Sequence, residues 1–296
     1  MAQFLEALIN GISLGSLYAI IALGYSMVYG IAKMLNFAHG DVIMVGGYIV
    51  FIVLNNMGMP AALAIPAAML VCVALGITIE GLAYRPLRQA TSLAVLITAI
   101  GVSYFLQNAA QLIWGANPRF FTIMNYGNIP VSLGKDQFNI SVGKLCSVGV
   151  SVVIMLGLSF FTGKTKMGKS MRAVSEDRGA AELMGINVNR TIALTFAIGS
   201  ALAGVAGAML VGVYGVQLSP TTGAMPGIKA FTAAVFGGIG SIPGAMIGGI
   251  LIGVIEILVG TFISTDLKDA LTFAVLIIML VVKPTGLLGK PIREKV

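Results

Sequence analysis

Eight residues, Gly163-Lys164-Thr165-Lys166-Met167-Gly168-Lys169-Ser170, satisfy the phosphate-loop pattern G-x-x-x-x-G-K-[S/T]. In a nucleotide-binding protein, the backbone N–H groups and lysine of such a loop hold phosphate oxygens, and the hydroxyl binds Mg²⁺. That chemistry needs a strand before the loop and a helix after it. Here an apolar run over 144–162 comes first, and the sequence has no room for a nucleotide-binding sheet. A basic loop lying against an anionic lipid leaflet accounts for the same residues. The other chemical candidates are polar groups set within long apolar stretches: Glu80, Glu256, Lys229, Gln107, Asn108 and the Asn36/His39 pair. His39 is the only histidine, which excludes a multi-His metal site, so no metal or cofactor is expected. Cys72 and Cys146 are expected as buried free thiols.

The elements that hold these residues follow from composition. Of the 296 residues, 57% are hydrophobic and 10% charged, against about 25% charged in a soluble domain. The mean hydropathy is +0.97. Such a chain needs lipid as a second solvent, which excludes a soluble enzyme, a nucleic-acid-binding domain and a disordered chain. The net charge of +7 then reads as Lys/Arg held in cytoplasmic loops rather than as a nucleic-acid surface. No Lys or Arg occurs before Lys33, so the basic start of a cleaved signal peptide is missing and the first apolar run is expected to be retained.

The predicted fold is all-α, a polytopic membrane helical bundle of eight or nine spans forming one transmembrane domain over 1–296. Spanning helices are predicted at about 7–30, 41–57, 60–82, 93–115, 144–162, 191–215, 243–263 and 269–283. The stretch 228–240 is apolar but short, and reads as a ninth span, a half-helix or a re-entrant segment. No strand is expected, and 116–143 reads as a long extramembrane loop. Most Lys and Arg residues fall in alternate connections: Lys33; Arg85 and Arg88; Lys164, Lys166, Lys169, Arg172, Arg178 and Arg190; Lys283, Lys290, Arg293 and Lys295. Arg119, Lys135, Lys144, Lys229 and Lys268 are the remainder. Placing the larger set in the cytoplasm puts the N-terminus outside and the C-terminus inside, and that parity favours nine crossings.

Small residues recur every fourth position at Gly199/Ala203/Gly207, Gly204/Ala208/Gly212 and Gly240/Gly244/Gly248. Spacing by four puts them on one helix face, for close packing or for a moving interface. Ser241-Ile242-Pro243 reads as a helix break, with Ser241 capping the next segment.

Glu80 reads either as a partner of Arg85 or as a functional group, because a charge in lipid costs about 2.5–3.5 kcal/mol on insertion scales. Glu256 reads as a path or gate residue or as an interhelical hydrogen-bond partner, with contact to Lys229 left open. His39 beside Asp41 reads as capping or loop structure ahead of a proton relay, and Asn36 as a cap for the following segment.

The cytoplasmic stretch 163–190 predicts a short amphipathic helix with Met171, Val174, Ala180, Leu183 and Met184 as its apolar contacts. Arg172, Glu176, Asp177, Arg178 and Glu182 form its polar face. Gly185 stops it, and Ile186 supplies a hydrophobic contact beyond the stop. A helix furnished on both faces is either solvated or lies in a partner's groove.

Gly179-Ala180-Ala181-Glu182-Leu183-Met184-Gly185 resembles the E-A-A-x-x-x-G cytoplasmic motif of ABC importer permeases, with Gly179 where that motif has Glu. The strings GKSMRAVSEDRGAAELMGINVNR (168–190), NGISLGSLYAIIALGYSMVYGI (10–31), NFAHGD (36–41), IKAFTAAVFGGIGSIPGAMIGG (228–249) and PTGLLG (284–289) resemble branched-chain amino acid ABC transporter permeases, most closely the smaller of their two permease subunits. The match runs essentially end to end.

The resemblance implies a subunit of an importer in the bacterial inner membrane. Its partners would be a second permease subunit, two cytoplasmic ATP-binding subunits that hydrolyse ATP, and a periplasmic binding protein delivering leucine, isoleucine or valine. The chain itself would not be an enzyme. By motif, Ala180, Ala181 and Gly185 would form the coupling helix. By position in the longer string, Gly168, Arg172, Glu176, Asp177 and Ile186 would join them. The path would be apolar, with Glu256 and the small residues Gly237, Gly238, Gly240 and Gly244 as candidates. Related permeases carry urea, short amides or other amino acids, which is the alternative cargo. A self-contained secondary transporter is the alternative class, but such carriers place acidic or His residues at the midplane, and only Glu256 suits.

Overall fold

The computed structural model describes residues 2–121, 127–133 and 136–289. Lys135, Lys290, Arg293 and Lys295, invoked for orientation, lie outside them. Helices α1 (Ala2–Ala32), α2 (His39–Phe51), α3 (Ala61–Ile79), α4 (Ser92–Trp114), α5 (Val142–Lys164), α6 (Lys166–Glu176), α7 (Arg178–Leu183), α8 (Val188–Gly212), α9 (Ala224–Gly237), α10 (Ile242–Phe262) and α11 (Leu267–Val282) account for most of the chain. A π-helical turn, Ile52–Asn56, extends α2, and a second, Glu80–Tyr84, extends α3. Among the described residues, seven helical segments are long and apolar enough to cross a membrane. Helices α9 and α11, of 14 and 16 residues, are shorter.

Contacts along α1 give each element its depth. Phe4 of α1 meets Phe262 at the end of α10, and Tyr214 beyond α8 bonds to Ser13. These mark the Ala2 end of the bundle. Gly30 of α1 faces Gly240 between α9 and α10, and Gly238 packs on Gly289. Arg178 donates to the Ala32 carbonyl. These mark the Ala32 end. The described chain therefore crosses back from the Ala2 end to the Ala32 end between 213 and 240, in the segment that holds α9.

That crossing is not one continuous helix. Leu218 lies against Gly47 of α2, and Gly40 in the first turn of α2 packs on Gly223 and Gly227 at the start of α9. His39, beside Gly40, abuts Gly24, which is eight residues before the end of α1 at Ala32. Eight residues of helix rise about 12 Å. Helices α2 and α9 thus both begin inside the bundle, and residues 213–223 run inward as irregular chain. Non-helical backbone at such depth persists only where protein covers it. Leu218 is fully buried, and its backbone pairs with Arg119 in a β-bridge.

α8, α1 and α2 are mostly buried, whereas α3, α4 and α5 are mostly exposed. The exposed side chains there include Leu70, Leu82, Phe105, Leu112 and Val153, an apolar surface suited to lipid. The glycine spacing read from the sequence has a direct purpose. Gly11 and Gly15 of α1 and Gly249 and Gly253 of α10 meet backbone to backbone, as do Gly46 and Gly204 between α2 and α8. Small residues at such contacts let helices approach closely enough for dispersion and Cα–H···O contacts to hold them in lipid.

The expected loop over 116–143 contains a feature the sequence reading missed: strands β1 (Asn128–Leu133) and β2 (Asp136–Ser141) pair antiparallel, Asn128 opposite Ser141. Each strand is only six residues long, with polar residues and one proline scattered through them, so periodicity carried little signal. Cys72 is buried as expected, but Cys146 is exposed on the outer face of α5.

Candidate functional site

The hairpin α6–α7 is built by its caps. Thr165 Oγ1 accepts from the Gly168 N–H at 3.0 Å and starts α6. Asp177 is extended, ends α6, and accepts from the Ala180 N–H at 3.0 Å to start α7. Gly185, at φ +79°, closes α7. The Ile186 N–H reaches the Ala181 carbonyl and the Gly185 N–H the Glu182 carbonyl, the paired bonds of a glycine-terminated helix. The predicted stop at Gly185, with Ile186 partly buried beyond it, is therefore present.

Only part of the predicted coupling set faces outward. Arg172, Glu176, Asp177, Ala180 and Gly185 are exposed. Gly168 is buried: a Cβ there would lie 2.3 Å from the Phe161 carbonyl oxygen at the end of α5. Ala181 is buried with Met171 and Val174 in the core. Of the apolar contacts read from the sequence, Met171 and Val174 are buried, whereas Leu183 and Met184 are 90% and 82% exposed. The break at Asp177 rotates α7 relative to α6, so one continuous helical periodicity did not separate the two pairs. The signal for this was Asp177 itself, a capping residue in mid-run.

The phosphate-loop reading fails on geometry. α5 runs through Lys164 and α6 begins at Lys166, leaving Thr165 as the whole connection. Ser170 Oγ bonds within α6 to the Lys166 carbonyl at 3.2 Å.

One arginine ties the hairpin to α1, and a second ties the end of α3 to α8. Arg178 Nη2 donates to the carbonyl of Ala32, which closes α1. Arg88, just beyond α3, donates to Glu80 and to Asn189 at the start of α8. Burial, with the neighbouring positive charge of Arg88, pulls the Arg178 guanidinium below the ordinary arginine value. Glu80 thus pairs with Arg88, not with the Arg85 that adjacency suggested. The π-helical turn rotates Glu80 and Tyr84 inward together. Tyr84 donates to Asn36 Oδ1 at 3.0 Å, so the Asn36 side chain is engaged there and is not the expected cap of α2.

A second polar centre lies within the bundle. Lys229 of α9 reaches Glu256 of α10 at 2.6 Å and Asp269 of α11 at 2.6 Å. Tyr18 of α1 donates to the other Glu256 oxygen at 2.8 Å. Lys229 and Glu256 are buried, and the Asp269 side chain is 39% exposed. Four helices are thereby joined through one ammonium group. The contact between Lys229 and Glu256, left open by the sequence, is made. Gln107 donates to Asp41 at 2.9 Å, Asn108 bonds to the Tyr104 carbonyl on the exposed side of α4, and His39 packs edge-on against Tyr25 at 4.7 Å.

The candidate path glycines are contact points. A Cβ at Gly237 would lie 1.8 Å from the Gly244 carbonyl oxygen, and one at Gly238 2.3 Å from the Gly289 nitrogen. Gly240 meets Gly30 of α1. Ser241 accepts from the Gly244 N–H at 3.2 Å and caps α10, as its place before Pro243 predicts. Together they form a close-packed elbow between α9 and α10 at the Ala32 end.

Known proteins match this chain over its whole length. The family model described as "Branched-chain amino acid transport system / permease component" matches residues 7–280. The high-affinity branched-chain amino acid transport system permease protein LivH of Escherichia coli (strain K12) is 46% identical, over 99% of this chain and 98% of that protein. The corresponding protein BraD of Pseudomonas aeruginosa is 45% identical over the same shares. A solved structure, PsaBC from Streptococcus pneumoniae in complex with Fab, shares the fold at 18% identity, covering 96% of each chain with a TM-score of 0.50. With seven helical segments among the described residues long and apolar enough to cross a membrane, and a family match over residues 7–280, this chain belongs to the permease components of branched-chain amino acid transport systems.

Proposed function

We propose that this chain is the smaller permease subunit of an ATP-driven importer that moves leucine, isoleucine and valine into the cell. In this reading it pairs with a second permease subunit in the bacterial inner membrane. Two cytoplasmic subunits hydrolyse ATP, and a periplasmic protein delivers the amino acid. The Ala32 end is cytoplasmic. Lys33, Arg85, Arg88, Arg190, Lys283 and the basic residues of α6–α7 gather there, whereas Arg119, Lys144 and Lys268 belong to the other end. With Ser241→Cys introduced after removal of Cys72 and the exposed Cys146, an impermeant thiol reagent is expected to label the protein only from the cytoplasmic face. Labelling from outside would reverse this orientation.

The observation that carries the coupling role is the exposed apolar pair Leu183 and Met184, on a capped hairpin that Arg178 ties to the end of α1. Ala180, Gly185 and the acidic residues Glu176 and Asp177 surround it, with Arg172 on the same hairpin. Gly168, Ala181 and Ile186 set the hairpin's angle from beneath. An apolar knob with a polar rim suits insertion into a groove of an ATP-binding subunit. Closure of those subunits would then displace the hairpin and reset the bundle. The elbow of Gly237, Gly238, Gly240 and Gly244, with Glu256 farther up α10, forms part of the wall of the path.

The test is ATP-driven leucine uptake in proteoliposomes holding both permease subunits, the ATP-binding subunits and the binding protein. Leu183→Asp with Met184→Asp is expected to lower uptake by about thirtyfold, the loss of a binding hot spot, while the bundle remains folded. Unchanged uptake would remove the hairpin from this role. Uptake of urea but not leucine would change the cargo, and uptake without ATP would overturn the importer reading.

A further inference from the structure

At the Ala2 end, α1, α5, α10 and the segment after α8 line an open cavity of about 390 Å³. Sites for small ligands begin at about 300 Å³. Six of its residues give it chemical character. Lys144 and Glu6 bring one charge of each sign, Asn10 and Tyr214 bring hydrogen-bonding groups, and Leu14 and Ile257 bring aliphatic surface.

Position follows from helix geometry. Glu6, Asn10 and Leu14 recur at intervals of four along α1 and share one face. Lys144 lies in the first turn of α5, where the helix dipole adds to its positive charge. Its ammonium donates to Asn10 Oδ1 at 2.9 Å, which fixes it and leaves further donors free. The Tyr214 hydroxyl is oriented by Ser13 and by Ser147 at 2.9 Å.

Among the described residues, neither Lys144 nor Glu6 forms an ion pair. Opposite charges held in one cavity without meeting are ill explained by packing, because each is partly desolvated without Coulombic return. They match a ligand that itself carries both signs. The aliphatic wall beside them excludes a second charged group on that ligand.

We propose that this cavity receives a free zwitterionic aliphatic amino acid at the Ala2 side of the bundle. Lys144, with the Asn10 amide N–H, takes the carboxylate. Glu6 takes the ammonium, and the side chain lies on Leu14 and Ile257. The proposal rests on the importer reading above and adds to it a binding site within the permease.

The test uses the complete assembly in proteoliposomes, with Thr261→Cys at the cavity wall as the only cysteine of this chain. Leucine is expected to slow its labelling by a maleimide. Leucinamide, which lacks the carboxylate, and 4-methylpentanoate, which lacks the ammonium, are expected to protect far less at equal concentration. Glu6→Gln and Lys144→Met are each expected to raise the leucine concentration needed by about tenfold, the scale of one lost charged hydrogen bond. Glu6→Asp is expected to retain protection, which separates loss of the site from loss of fold. Absence of protection by leucine, or equal protection by all three compounds, would overturn the proposal. ATP-driven leucine uptake is measured on the same vesicles. Uptake without protection removes this site alone, and no uptake with every native site residue in place removes the importer reading.

Discussion

Lys229→Met is expected to destabilise the folded chain by about 3–5 kcal/mol and to abolish transport, because it leaves the buried Glu256 carboxylate without its ammonium partner. Lys229 Nζ stands 2.6 Å from Glu256 and 2.6 Å from Asp269, and it is the ion-pair partner of both. Most of the loss comes from the buried Glu256. The half-exposed Asp269 contributes less, since water or headgroups screen it. Glu256→Gln added to Lys229→Met is expected to restore much of the stability, because it removes the orphaned charge and the amide still accepts from Tyr18. Thermal unfolding followed by size-exclusion chromatography in detergent measures both variants. A single variant as stable as the parent would show that Lys229 is not neutralising Glu256 in the folded protein.

The second large effect is steric. Gly253→Leu is expected to prevent accumulation of folded protein in the membrane. A Cβ on Gly253 would fall 2.2 Å from the Gly15 nitrogen and 2.3 Å from its Cα. Those are backbone atoms, so no rotamer change relieves the clash and α1 must separate from α10. Overpacking a formed interface costs about 1–3 kcal/mol even where side chains can shift, and more where they cannot. Separation would also pull Tyr18 from Glu256, so the loss extends to the ion network. Gly260→Leu, farther along the same helix with nothing within 4 Å of its Cβ position, is the matched control and is expected to be tolerated. Equal yields of the two variants would mean that the α1–α10 contact is looser than the glycine spacing requires.

Much of this architecture was legible because lipid imposes simple rules. Each predicted span from 7–30 to 269–283 coincides with a helix, since a long apolar run has few alternatives to one. The cap at Ser241 and the stop at Gly185 were legible for the same local reason, as side-chain and glycine signals act within a single turn. What failed depended on distance in space. Asn36 lay beside a segment it was expected to cap, yet its partner is Tyr84, 48 residues away. Glu80 was matched to Arg85 by adjacency, while a π-helical turn delivers it to Arg88. The sequence reading ran a single helix across Asp177, where the helix in fact restarts, so it did not separate the buried Met171 and Val174 from the exposed Leu183 and Met184. The cavity holding Glu6 and Lys144 had no sequence signal, because α1 and α5 contribute its charges from positions far apart in the chain.

The short α9 has a consequence for biogenesis. Its 14 residues span about 21 Å, less than the roughly 30 Å of a bilayer's hydrocarbon core. It also carries Lys229, whose charge alone adds about 2.5–3.5 kcal/mol to the free energy of partitioning from the translocon into lipid. Such a segment has too little apolar length to leave the translocon sideways on its own. α10 supplies Glu256 and α11 supplies Asp269, and both emerge from the ribosome afterwards. Integration of α9 must therefore wait until its counter-charges have been synthesised, and the chain from α9 to α11 enters the membrane as one cooperative unit.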